Sequence, residues 1–383
     1  MAVTTNHSNN ELIKFKREVT YGYLRNSRLS RYQGTSANAV IRLVKDLQAD
    51  GKEIRVPLVD QLRGQGLGTG TLTGNEEAID NYGAPMWADW LRHAVRWNKA
   101  TDKDSALNIR NIATPLLSNF GKRMVRDETI DAMLSIPTAT PPAGFRGPSG
   151  SRINGIRWAD ATPAQRNNWF DANGDRIVVG AALGNRVAGS AASSLANVDT
   201  TSDRLGTGIV SLAKRVAMST TENKITPYMV DDTDEEMYVM FVGSRAMRDL
   251  KNDDAMKAAL REARPREGAA WEKNPLFKAG DLWWVNVLVT EIPEIDERLT
   301  LTGAGAAGSN VVPGFLCGVS ALAYVMGQMP TPTQADETDY QFNTGIGTET
   351  QYGIGKVAKI PPGGTQLKDW GMVTVFTSSV ADA

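Results

Sequence analysis

Between residues 64 and 74 the chain carries glycine at 64, 66, 68, 70 and 74, separated only by Gln, Leu and Thr. Glycine loses more backbone freedom on ordering than any other residue, so this segment does not make a regular element on its own. Two readings stay open: a flexible surface hairpin, or a segment that becomes ordered against something else, such as a neighbouring subunit. Just before it, Ile54, Val56 and Leu58 alternate with Glu53, Arg55 and Pro57. That period of two predicts a strand, and Pro57 places it at a sheet edge. Glu76 and Glu77 follow the glycines, where they can meet arginines of another copy and supply specificity more than affinity.

The glycine run does not fit a phosphate loop. It has no Gly-Lys-Ser/Thr ending, and the next residues, Thr71, Leu72 and Thr73, do not begin an apolar helix. The other places where chemistry might live are equally bare. His7 and His93 are the only histidines and Cys317 the only cysteine, which excludes a histidine-rich zinc site and any intrachain disulfide. The densest carboxylate cluster, Asp231, Asp232, Asp234, Glu235 and Glu236, lacks the glycine and distal glutamate of a calcium loop. It reads as a solvated turn, with a metal-dependent hydrolase as the rival reading. No serine sits in Gly-x-Ser-x-Gly, and no cofactor is expected.

The 383 residues are 41% apolar and 22% charged, a globular composition long enough for two or three domains. The formal net charge of -1 argues against capture of nucleic acid by the molecule as a whole. The polar start lacks the apolar segment of a signal peptide, and no run is long enough for a membrane span, so no membrane partner is expected.

Hydrophobic spacing predicts helices over residues 36–47, 87–97, 106–124, 127–134, 205–216, 247–265 and 316–329. The third of these is expected to kink at Pro115 and Gly121. Thr162-Pro163 marks a further helix start. Strands are predicted over 176–179, 237–242, 282–289, 352–360 and 372–376, and loops over 137–157, 184–196 and 303–310. Helices and strands mix without βαβ regularity, so the class is α+β.

An ordered set of short signatures runs along nearly the whole chain. It comprises Arg55-Val-Pro-Leu58, Leu62-Arg-Gly-Gln-Gly66, Leu72-Thr-Gly-Asn-Glu-Glu77, His93-Ala-Val-Arg96, Ala213-Lys214, Lys224-Ile-Thr-Pro227 and Tyr238-Val-Met-Phe-Val242. Asn274-Pro-Leu-Phe277, Gly318-x-x-Ala-Leu322 and Lys368-Asp-Trp-Gly371 complete it. In this order the set resembles the major capsid proteins of tailed bacteriophages, specifically the phage N4-like group with the HK97-type fold. Two departures, Gly243-Ser244 for His-Pro and Gly314-Phe-Leu-Cys-Gly318 without its usual arginine, mark a divergent member.

The resemblance implies an N-terminal arm at 1–50, an extended loop at 51–83 and a peripheral domain with a spine helix at 84–157. A mainly axial domain then spans 158–330, and strands at 331–383 return to the periphery. It implies self-assembly as pentamers and hexamers into an icosahedral head around double-stranded DNA, inside the host bacterial cytoplasm. Portal, scaffold and decoration proteins are the implied partners, and DNA contact is non-specific. Inter-subunit contacts are expected at Arg55, Pro57, Arg63, Gly64, Gly66, Gly70, Leu72, Glu76 and Glu77. An encapsulin-like cellular shell of the same fold is the alternative. A shell protein of either kind is not an enzyme.

Overall fold

Strands occupy most of the stretches rich in β-branched and aromatic residues, the types that pack well on a pleated surface. The computed structural model describes residues 28–45, 53–60, 62, 64, 66–77, 79, 81–100, 109–219, 224–229, 235–262, 277–278, 281–334, 342–361 and 364–382. In chain order the first strands are β1 (Gln33–Gly34), β2 (Ile41–Val44), β3 (Glu53–Val59), β4 (Asn81–Trp87), β5 (Asp89–Asn98), β6 (Ile177–Val179), β7 (Tyr228–Met229) and β8 (Glu236–Val242). Next come β9 (Phe277–Lys278), β10 (Asp281–Trp284), β11 (Val287–Glu291), β12 (Val311–Cys317), β13 (Leu322–Gln334) and β14 (Asn343–Lys356). The last are β15 (Ala358–Lys359), β16 (Lys368–Asp369) and β17 (Met372–Ser378). The helices are α1 (Ile109–Met133), α2 (Pro163–Ala172), α3 (Ala191–Leu195), α4 (Thr207–Ser219), α5 (Ser244–Asn252), α6 (Asp254–Glu262) and α7 (Glu294–Leu299).

The chain divides into two units. One comprises Met1–Ile54, Met86–Arg157 and Leu322–Gly355. Its sheet has the order β1-β2-β13-β14-β5. β5 and β14 pair antiparallel from Asp89 opposite Tyr352 to Asn98 opposite Asn343. Helix α1 lies on one face, where Ala113, Leu117 and Ile346 form a buried cluster backed by Val95 and Trp97. Here the helix predicted over 87–97 is replaced by strand. The same letters fit both periods: Leu91, Val95 and Trp97 share a strand face, while Trp90, Arg92 and Arg96 share the other. A long partner strand decides between them. The helix predicted over 36–47 likewise gives way to turns and then β2, which pairs parallel to both β1 and β13. Residues 46–47 lie outside the described residues.

Helix α1 runs without a break from Ile109 to Met133, so the separate helix predicted over 127–134 is its last part. Nothing between Met124 and Asp127 breaks the pattern, and Thr129 bonds back to the Val125 carbonyl at 2.6 Å. A buried polar clamp holds the loop after it. Arg152 donates to both oxygens of Glu128, at 2.5–3.0 Å, and Tyr352 donates to Glu128 at 2.7 Å. Asp89, also buried, accepts the amides of Trp90, Arg146 and Ser151.

The other unit comprises Arg55–Pro85, Trp158–Ala321 and Lys356–Ala383. Its mixed sheet runs β6-β17-β12-β8-β11-β10-β9, with β7 added to β8. β12 and β17 are buried along their full length, as continuous apolar strands of a central sheet should be. The run predicted as a helix over 316–329 is instead the end of β12, a turn with Ser320 at φ 52° and the start of β13. A run that is mostly apolar, interrupted only by Gly318, Ser320, Gly327 and Gln328, has no clear period to read, so helix and buried strand look alike. The strand predicted over 282–289 is a hairpin, β10 and β11 joined at Val285 and Asn286. The helix predicted over 247–265 is two helices, α5 and α6, separated at Asp253; residues 263–265 lie outside the described residues. The loop predicted over 184–196 contains the short helix α3.

Candidate functional site

β3 and β4 pair as a two-stranded ribbon. Val56 and Leu58 turn inward and Arg55 and Pro57 outward, the alternation the sequence predicts. Both strands of a two-stranded ribbon are edge strands, the place where a proline such as Pro57 is tolerated. Gly83 of β4 sits where an added Cβ would meet the Cβ and Cδ of Arg55 at 3.2 Å. Burial raises the pKa of the Tyr82 phenol beside it, against the lowering pull of the Arg55 charge. Where the loop leaves β3, Lys359 pairs with Asp60 and lies over the Trp370 ring.

Beyond Asp60 the segment holds itself with few bonds. The Gly64 amide donates to Glu77 Oε2 at 2.7 Å, and the Gly74 amide to Glu76 Oε2 at 2.7 Å. Asn75 donates its amide to the Leu72 carbonyl at 2.9 Å, closing a turn in which Gly74 has φ 88°. That turn requires a glycine. An added Cβ would meet nothing within 4 Å at Gly66 or Gly68, and only Leu67 at 3.8 Å for Gly70. Nothing described inside the subunit therefore demands glycine at these three positions. Along the same stretch Val59, Leu62, Leu72 and Ile79 are 59–68% exposed. Of the contact residues expected from sequence, Arg55, Pro57, Gly64, Gly66, Gly70, Leu72, Glu76 and Glu77 lie on this ribbon and its tip. Arg63 lies outside the described residues. The exposed Val59 and Ile79 are not singled out by the sequence reasoning, although their position beside the ribbon ends is visible there.

The other candidates do not assemble into chemistry. Asp231, Asp232 and Asp234 lie outside the described residues, while Glu235 and Glu236 are exposed at the start of β8. Among the described residues no group of three or more His, Cys, Asp or Glu side chains is arranged to hold a metal ion. Cys317 is wholly buried, and burial pushes its thiol pKa up, out of reach of the reactive thiolate. His93 stacks on Phe120 with ring centroids 4.1 Å apart. A cavity of about 740 Å³ in the second unit is lined by Arg204, Arg215, Asp249 and Asp253, with no His or Cys. Asp253 is committed to the start of α4, accepting the Thr207 amide at 2.5 Å and its hydroxyl at 2.7 Å. Among the described residues no helix is long and apolar enough to cross a membrane.

Compared with solved structures, the two-unit α+β architecture is that of a shell protein of the HK97-type fold. A family model described as phage capsid protein matches residues 2–381, and the chain belongs to that family. Among solved structures, the capsid of cyanophage Pam1 is similar at 29% identity and TM-score 0.79, over 94% of each chain. The capsid of Ralstonia phage GP4 is similar at 19% identity and TM-score 0.68, over 94% of this chain and 93% of that one. The head of Helicobacter pylori bacteriophage KHP40 follows at 12% identity and TM-score 0.59, over 92% and 91%. The last two likenesses concern the fold alone. Comparison with curated proteins gives no match. The protein is a major capsid protein that forms the shell of a phage head, and its place is the virion.

Proposed function

We propose that this chain is a divergent N4-like major capsid protein whose pentamers and hexamers close into an icosahedral head around double-stranded DNA. One observation carries the reading of the ribbon: its tip exposes Val59, Leu62, Leu72 and Ile79, while Gly66 and Gly68 face open space. Ordering such a segment costs backbone entropy that the subunit's own contacts do not offset. A neighbouring copy that covers the apolar side chains offsets it at assembly. Arg55, Pro57, Arg63, Gly64, Gly66, Gly70, Leu72, Glu76 and Glu77 are the contact residues in this reading.

Residues 1–50 then serve as the arm, 51–83 as the extended loop, 84–157 as the peripheral domain with α1 as its spine, 158–330 as the mainly axial domain and 331–383 as the returning strands. Assembly takes place in the bacterial cytoplasm with portal, scaffold and decoration proteins. Contact with packaged DNA is non-specific, as suits a net charge of -1. The role is mechanical containment without catalysis, and many modest contacts add up through closure.

The test compares the full chain with a variant lacking residues 64–74, by negative-stain electron microscopy and mass photometry. Closed shells for the first, and only free subunits or capsomers of unchanged melting temperature for the second, are expected. Equal shell yields from both would overturn the loop reading.

A further inference from the structure

The hairpin between β10 and β11 turns through Val285 and Asn286, at φ 47° and 58°. Two positive φ values in a two-residue turn are the pattern that Asn-Gly or Gly-Gly serves without strain. Asn286 fits it. Val285 does not: a β-branched residue in the left-handed region is a genuine outlier, and such strain persists only where the surroundings impose it. Its side chain makes no core in return, being 50% exposed. The turn is pinned from outside, since Lys214 of α4 donates to the Val285 carbonyl at 2.9 Å. One residue back, the Trp284 indole donates to Ser211 of the same helix at 3.1 Å. Met218, one turn beyond Lys214, is 49% exposed.

The same end of the sheet carries both signs of charge. Lys214 of α4 stands at the turn. Tyr238 donates its amide to the Asn286 carbonyl at 3.0 Å and pairs with Val287, so β8 starts at Glu236 level with the turn, and Glu235 and Glu236 are exposed there. The cation of one copy can therefore meet the carboxylates of a neighbouring copy, a complementarity that fixes orientation more than affinity.

We propose that the strained Val285 turn is an apolar contact point between copies of this chain, oriented by Lys214 of one copy against Glu235 and Glu236 of the next. The proposal rests on self-assembly as read above, and it is independent of the glycine-rich loop.

The decisive variant is Val285→Gly, which relieves the strain and removes the knob together. Two opposite changes are expected. The thermal midpoint of the unassembled full-length subunit rises, while the critical concentration for shell formation, read by light scattering, rises about tenfold. A higher midpoint with an unchanged critical concentration would overturn the proposal, and so would a lower midpoint, which would make Val285 part of the subunit's own packing. The charge arm uses Lys214→Glu, and Glu235→Lys with Glu236→Lys. Either change alone weakens assembly, and the two together restore it; no restoration would sink the proposal. Failure of the wild-type chain to form shells would count against self-assembly itself. Val285→Gly shells formed at wild-type concentration would count against the Val285 turn alone.

Discussion

Lys356 is fully buried, with its ammonium 2.7 Å from Asp369 and 4.3 Å from the Trp169 ring centroid. Burial pushes its pKa down, and the Asp369 carboxylate opposes that shift. Asp369 is almost as buried, and Arg176, also buried, donates to its carbonyl and to that of Trp370. A buried pair of this kind contributes little net, but breaking it strands a charge. Lys356→Met should therefore destabilise the unassembled chain by about 3–5 kcal/mol in urea denaturation, as expected for an unpaired buried carboxylate. Lys356→Met with Asp369→Leu should cost clearly less. A single variant that loses under about 1 kcal/mol would place the pair with exposed ones. Asp253 gives a pH counterpart. Burial raises its pKa, but hydrogen bonds from the Thr207 amide and hydroxyl outweigh it, and the net shift is down from 3.8. A depressed carboxylate stabilises the fold above its unfolded pKa and loses that contribution as pH falls through the folded value. Acid titration of the melting temperature should show this loss below about pH 4, where an unperturbed Asp begins to protonate. Asp253→Asn should flatten that part of the curve; an unaltered slope would contradict the assignment.

At the scale of elements, local chemistry was legible where a residue acts on its own neighbours. Thr162-Pro163 announces α2, and the helix starts there with a capping box: Gln165 donates its amide to the Thr162 hydroxyl, and Thr162 donates its amide to the Gln165 side chain. Thr162→Ala should cost about 1 kcal/mol, the usual value of a lost N-cap. Thermal melts would check it, and an unchanged midpoint would mean the cap is redundant with the Trp158, Trp169 and Phe170 packing around it. The three-to-four spacing of Ile209, Ala213 and Val216 likewise marks the inner face of α4, and all three are buried. What stayed hidden is set at a distance. β5 is a strand because β14 offers it a partner more than 240 positions later in the chain. The turn at Ser320 interrupts apolar residues that carry no punctuation except glycine. The Val285 turn could not be read at all, since valine is the residue least suited to it. Of the ribbon, β3 was legible, because alternation and Pro57 are local signals, but β4 was not predicted as a strand. Nor was it legible which of the ribbon's side chains would be left exposed.

At the scale of the whole molecule, the glycines of the loop separate two kinds of stability. Gly74 is explained inside the subunit by its positive φ, whereas Gly66 and Gly68 have open space where a Cβ would stand. Alanine at either position should therefore leave the free subunit within about 0.5 kcal/mol of wild type, as for most surface changes, or slightly stabilise it by restricting the unfolded chain. A neighbour's backbone lying against these positions would make the same methyl group a steric obstacle to assembly. Gly66→Ala and Gly68→Ala should then raise the critical concentration for shell formation at constant melting temperature, while Gly74→Ala lowers the melting temperature as well. Light scattering on all three variants, with melts of the unassembled subunits, distinguishes the cases. Shells from Gly66→Ala and Gly68→Ala at wild-type concentration would mean that glycine there serves flexibility alone, and that the neighbour touches the loop only through Leu62, Leu72, Ile79 and the paired glutamates.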